Sequence, residues 1–145
     1  MLKRKISMDN KETEKFRENS KDLPFFDFCK LELVSLGNGE SVGIMHVNKD
    51  HLNHVNAVHG GLLFAVSDTL AGMAAFSLGK NCVTLNSSYE YYKMAAEGDL
   101  ICRNKVIHAG SRVIRTESSI YNQKEELLCG GVFTYYSLGD RDPDD

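Results

Sequence analysis

At 145 residues the chain suits one domain, and folding at this size buries roughly 70% of the surface the unfolded chain would expose. Seventeen Lys and Arg against twenty Asp and Glu leave a net charge of −3, which excludes broad electrostatic capture of nucleic acid. The 42% hydrophobic and 26% charged shares exclude a disordered or fibrous chain, since an ordinary core can be built from them.

The first 22 residues carry 12 charges and little periodicity. They predict a leader, frayed or loosely docked, with one helical stretch around Lys11 to Asn19. Lys3, Arg4 and Lys5 are followed by no apolar segment and no small-residue cleavage site, so no signal peptide is expected and the expected address is the cytoplasm. Next come a strand over Cys29 to Leu36, a turn at Gly37-Asn38-Gly39-Glu40 and a strand over Ser41 to Val47, the pattern of a hairpin. Leu62 to Leu78 reads as one long helix with apolar residues on every side and Gly79 to cap it. Asp68 and small polar residues interrupt that run, which argues against a membrane span. Cys82 to Lys93 alternates, with Val83, Leu85, Tyr89 and Tyr91 on one face and Thr84, Asn86, Ser88 and Glu90 on the other. Strands over Leu100 to His108, Val113 to Tyr121 and Leu127 to Leu138 follow, with separators short enough for hairpins. The expectation is an α+β domain over 23–139: one long helix and about six strands in one antiparallel sheet. An acidic, disordered tail over 140–145 follows it. The four cysteines (Cys29, Cys82, Cys102, Cys129) form no Cys-x-x-Cys pair and read as reduced and mostly buried. A helix apolar all round must be covered all round. A curved sheet covers one side, and a second copy of the chain is the simplest cover for the other.

His59-Gly60-Gly61 leads straight into this helix. Backbone N–H groups at a helix start have no intrahelical acceptor, and the dipole there favours negative charge, so a carbonyl turning into an oxyanion would be stabilised. The plainer reading is that the two glycines allow a tight turn. Asp68 shifts the balance, because it is the only acid between Asp50 and Glu90 and sits mid-helix among apolar neighbours. A buried carboxylate without a partner is costly, so it is paired, protonated or functional. Gly60 and Asp68 lie roughly 12 Å apart along the helix and cannot meet at one carbonyl within one chain. Across a two-fold axis that sets two such helices antiparallel they can, and the active site is then shared between subunits. His51, His54 and His59 lack the Cys or carboxylate partners of a recognised ligand pattern, so no metal site is expected.

Asn53, His59-Gly60-Gly61 and Asp68 within Leu63 to Ala71 together resemble the hotdog-fold acyl-CoA thioesterases, nearest to the phenylacetic-acid-degradation branch, over roughly residues 24–138. The resemblance implies a long central helix wrapped by a curved antiparallel sheet, in homodimers that often pair again into tetramers. It implies that the Gly60 N–H, helped by the Asn53 side chain, polarises the thioester carbonyl. Asp68 of the other subunit then acts as general base on water or attacks directly, and Thr84 orients that water. His59 fixes the loop or touches the thiol side of the substrate, and Gly61 adjoins the substrate. Ser111 and Arg112 lie beside the coenzyme A channel, with Arg112 placed for a phosphate. Coenzyme A is part of the substrate, so no separate cofactor is implied, and neither nucleic acid nor membrane is a partner. Two positions depart from the pattern: Asn56 where many relatives have glycine, and Lys93-Met94 in place of Arg-Pro. The alternatives on the same fold are a non-catalytic acyl-CoA sensor and a dehydratase. The dehydratase wants a catalytic His beside a Phe-Pro-Gly loop, and this chain has only Pro24 and Pro143.

Overall fold

The computed structural model describes residues 11–19, 23–142 and 144, so residues 1–10 and 20–22 of the leader and positions 143 and 145 of the acidic tail lie outside the described residues. The chain runs α1 (Lys11–Asn19), α2 (Pro24–Phe28), β1 (Leu31–Gly37), β2 (Glu40–Val47), a 3-10 turn (Lys49–His51), α3 (Gly60–Phe76), β3 (Lys80–Tyr91), β4 (Gly98–Ala109), β5 (Val113–Tyr121) and β6 (Leu127–Asp140). The six strands form one antiparallel sheet in the order β1-β2-β4-β5-β6-β3, curved around the long helix α3, which is the hotdog fold. The helix expected around Lys11 to Asn19 is present. The short α2, started by Pro24 at its first turn, and the 3-10 turn carry no apolar period and were not expected.

Two expectations are corrected. The separator between β3 and β4 does not form a hairpin: β3 pairs with β6 and β4 with β2, so this connection crosses from one edge of the sheet towards the other. The simple alternation along β3 also fails. Thr84 pairs with Tyr135 and Asn86 with Thr134, leaving Leu85 as an extra residue in a β-bulge. One extra residue reverses the faces beyond it. Thr84 therefore shares the helix-facing side with Tyr89 and Tyr91 rather than opposing them.

The core lies between α3 and the sheet. Leu63, Val66, Leu70 and Met73 of the helix pack on Leu33, Met45, Leu100 and Ile120, while Ala71 and Ala75 meet Ile114, Phe133 and Tyr135. Small residues let helix and sheet approach closely; a Cβ at Gly43 would stand 2.7 Å from the Leu70 side chain. Cys29, Cys102 and Cys129 are buried, Cys82 is half-buried, and all four are free thiols. No helix among the described residues is long and apolar enough to cross a membrane.

The two edges of the sheet differ. On β1, Thr13 of α1 accepts a hydrogen bond from the Leu36 N–H at 2.9 Å and donates to the Leu36 carbonyl at 3.2 Å. Arg17 donates to the carbonyls of Leu33 at 2.9 Å and Val34 at 3.2 Å. Side chains of α1 thus take up backbone groups that an edge strand leaves open. On β3, a 12-residue edge, Val83 and Leu85 are 47% and 57% exposed.

Candidate active site

The loop before α3 is shaped by its own side chains. His51, buried, accepts from the Asn48 N–H at Nδ1 (3.1 Å), which leaves Nε2 to donate to the Phe28 carbonyl (2.8 Å). Both ring nitrogens are thereby spent on structure. Asn53 Oδ1 accepts from the backbone N–H of Val55 (3.0 Å) and Ala57 (3.1 Å), so half of its amide builds the turn. Its Nδ2 has no acceptor among the described residues. Asn56 sits at φ 58°, in the left-handed region that glycine and asparagine tolerate best.

His59 is the N-cap of α3. Its Nδ1 accepts from the Gly61 N–H at 3.0 Å, and its carbonyl accepts from the N–H groups of Leu62 (2.9 Å) and Leu63 (3.2 Å). Of the first four helical N–H groups, that of Gly60 alone has no acceptor among the described residues. The helix start therefore presents one free donor at its positive end. Tyr91 donates to the Gly60 carbonyl at 2.6 Å and its ring lies 3.4 Å from where a Gly60 Cβ would stand, which holds the peptide in place.

Two turns further along, Asp68 is half-buried and faces β3 and β6. Its Oδ1 accepts from Thr84 Oγ1 at 2.8 Å and from the Tyr135 hydroxyl at 3.1 Å, and that hydroxyl also reaches the Asp68 carbonyl at 2.8 Å. Oδ2 has no partner among the described residues. Burial, and then the Asp68 charge, push the Tyr135 phenol far above its ordinary range, so it stays a neutral donor. The Cys82 thiol is raised by the same two causes in the same order. Asp68, Thr84 and Tyr135 open onto a cleft of about 760 Å³ that Met73, Phe76 and Val83 also line. That volume lies within the range of small-molecule sites.

The structure thus brings Asp68 together with Thr84, and Asn53, His59, Gly60 and Gly61 together at the loop. These two groups stand at different positions along one helix and do not meet within the chain. Ser111 and Arg112 belong to the β4–β5 turn, outside the Asp68 cleft; Arg112 donates to the Tyr136 hydroxyl at 3.2 Å. Lys93 pairs with Glu126, and Met94 is exposed. Tyr135 and Tyr91 are contributions the sequence reading missed. The alternation of Phe133, Tyr135 and Ser137 puts Tyr135 on the helix-facing side, whereas the bulge in β3 hid that Thr84 shares its face with Tyr91.

With this fold and geometry in place, the kinship is plain: the sequence profile of the thioesterase superfamily matches residues 55–129, and the chain belongs to that superfamily. It is a thioester hydrolase, and its resemblance to the hotdog-fold acyl-CoA thioesterases is borne out. It is 28% identical over 99 residues to the acyl-coenzyme A thioesterase PaaI of Escherichia coli, covering 68% of this chain and 71% of that protein. A hypothetical thioesterase protein from Streptococcus pneumoniae, solved with coenzyme A, is 30% identical with a TM-score of 0.75 over 77% of this chain and 91% of that one. A Streptococcus mutans protein bound to acetyl CoA is 27% identical with a TM-score of 0.76, covering 77% and 91%. Two further structures of the pneumococcal protein carry alanine in place of an aspartate and of a threonine sixteen positions later. The same separation divides Asp68 from Thr84.

Proposed function

We propose that the protein hydrolyses a small or medium, aliphatic or aryl acyl-CoA to the free acid and coenzyme A at a site shared by two subunits. The observation that carries this reading is the Asp68 carboxylate: one oxygen fixed by two hydroxyl donors, the other open to a cleft. The carbonyl oxygen of the thioester sits at the Gly60 N–H, with Asn53 Nδ2 as second donor. Asp68 of the partner subunit takes a proton from water while the water oxygen bonds to the carbonyl carbon. Negative charge collects on the carbonyl oxygen, where the helix dipole and the two donors stabilise it. Collapse of this intermediate breaks the carbon–sulfur bond and releases coenzyme A as thiolate, and the proton held by Asp68 passes to it. Thr84 and Tyr135 fix the carboxylate, His59 holds the loop by capping it, and Gly61 adjoins the substrate. Ser111 and Arg112, exposed on their turn, suit the phosphates of coenzyme A.

Pairing through β3 supplies the second subunit. The edge of β1 is occupied by α1, whereas β3 is long and carries exposed Val83 and Leu85 beside Thr84. Two β3 edges joined antiparallel continue the sheet across a two-fold axis and bring two α3 helices together in opposite directions. The oligomer is then a homodimer or a pair of such dimers. The test is a panel of aliphatic and aryl acyl-CoAs incubated with the protein and a thiol reagent. Free thiol released with turnover supports the reading. Binding without release would instead make the protein a sensor.

A further inference from the structure

The Asp68 cleft has one wall that the reaction does not use. α3 forms its floor, β3 and β6 one side, and the ring of Phe16, from α1, faces it as well. Since α1 packs on β1 and the cleft opens beside β3, at the opposite edge of the sheet, Phe16 reaches it across the side of α3 that the sheet leaves uncovered. The ring is held there from several directions. Thr13 and Arg17, three residues before and one after it, are bonded to the backbone of β1. Glu12 pairs with Arg141 at 3.3 Å, and the Arg141 guanidinium lies 4.2 Å from the centre of the Phe76 ring, itself part of the cleft. Phe26 of α2 stands 6.1 Å from Phe16, centroid to centroid, with the rings tilted at 45°. Beyond the polar cluster of Asp68, Thr84 and Tyr135 the lining turns apolar, with Met73, Phe76, Val83 and Leu138. An acyl group whose carbonyl stands at Asp68 meets this lining, and the aromatic wall comes with it.

We propose that Phe16 is a specificity-determining residue: its ring bounds the acyl pocket, admitting short aliphatic and aryl acyl groups and excluding long chains. This rests on the acyl-CoA reading above. Because each methylene that an apolar pocket accepts or rejects changes discrimination by about 10–200-fold, removing or enlarging one wall changes which chain length is preferred rather than the overall rate.

The experiment measures kcat/KM for acetyl-, hexanoyl-, benzoyl-, decanoyl- and palmitoyl-CoA with the full-length protein and with Phe16→Ala, Phe16→Leu and Phe16→Trp. Phe16→Ala raises the decanoyl- and palmitoyl-to-hexanoyl ratios by at least about tenfold, through KM. Phe16→Trp moves the same ratios the other way. Phe16→Leu, which keeps an apolar side chain on α1, shifts them in the direction of alanine and carries the test if Phe16→Ala fails to fold. Profiles that keep their shape in the folded variants, or fall equally for every substrate, overturn the proposal and leave the reaction untouched. A wild-type protein that cleaves none of the five refutes the acyl-CoA reading, and this inference with it.

Discussion

In the proposed reaction Asp68 serves as the base because its surroundings distinguish the two oxygens of one carboxylate. Thr84 and Tyr135 both donate to Oδ1, and neither competes for Oδ2. Asp68→Asn keeps the size and the Oδ1 contacts while removing the base. Turnover of the best acyl-CoA should fall by at least about 100-fold with the melting temperature preserved, as steady-state kinetics beside thermal unfolding will show. Elsewhere, His46 on β2 bridges Asp99 of β4 (2.7 Å) and Glu32 of β1 (3.1 Å). Burial alone lowers its pKa, but the hydrogen bonds and charges of the two carboxylates outweigh it, and the net shift from 6.5 is upward. A raised folded-state pKa means stability fully present below the unfolded value and lost as pH rises through the folded one. The ring is 45% exposed, so the effect is small. Wild type minus His46→Gln, compared by chemical denaturation from below pH 6.5 upward, should show a stability difference that shrinks with pH.

Among the elements, α3 and β3 carry most of the candidate site, and β5 offers a clean test of packing. Thr116 on β5 is fully buried, yet its hydroxyl has no hydrogen-bond partner among the described residues. Valine has nearly the same shape and no polar atom to desolvate, so Thr116→Val should stabilise the fold by about 1 kcal/mol, seen as a melting temperature raised by a few degrees. How far the elements were legible follows from what makes them. Val113 to Tyr121 was bounded correctly because Gly110 and Asn122 mark its turns. The long helix was legible because its apolar residues and following glycine have no other use. The register of β3 was not legible: a bulge depends on how β6 pairs with it, and nothing local to Thr84-Leu85-Asn86 signals the extra residue. The β3–β4 crossover was hidden for a similar reason, since Ala95 to Asp99 is as short as a hairpin loop. Asp68 and Gly60 stood out as residue types at telling positions, and Asn53 only through the family resemblance. Tyr135 and Phe16 did not, because their roles come from neighbours distant in sequence.

For the whole molecule, the decisive feature of the proposal is that one chain holds both halves of the proposed site without joining them. The free Gly60 N–H and the open Asp68 oxygen belong to one helix, roughly 12 Å apart along its axis. In the proposed dimer a partner helix running the opposite way brings each half against the complement of the other. Two inactive variants isolate the halves. Asn53→Asp keeps the oxygen that Val55 and Ala57 bond to and removes the Nδ2 donor. Asp68→Asn removes the base. In a mixed dimer of the two, one site collects both lesions and the other is wild type. Random mixing gives about half mixed dimers, so about a quarter of all sites should be restored. The direct measurement is acyl-CoA hydrolysis after the two variants are co-refolded, with mixed dimers verified by native mass. Recovery to about a quarter of wild-type activity is the predicted result. Activity no higher than either variant alone, with mixed dimers present, would contradict a site shared between subunits.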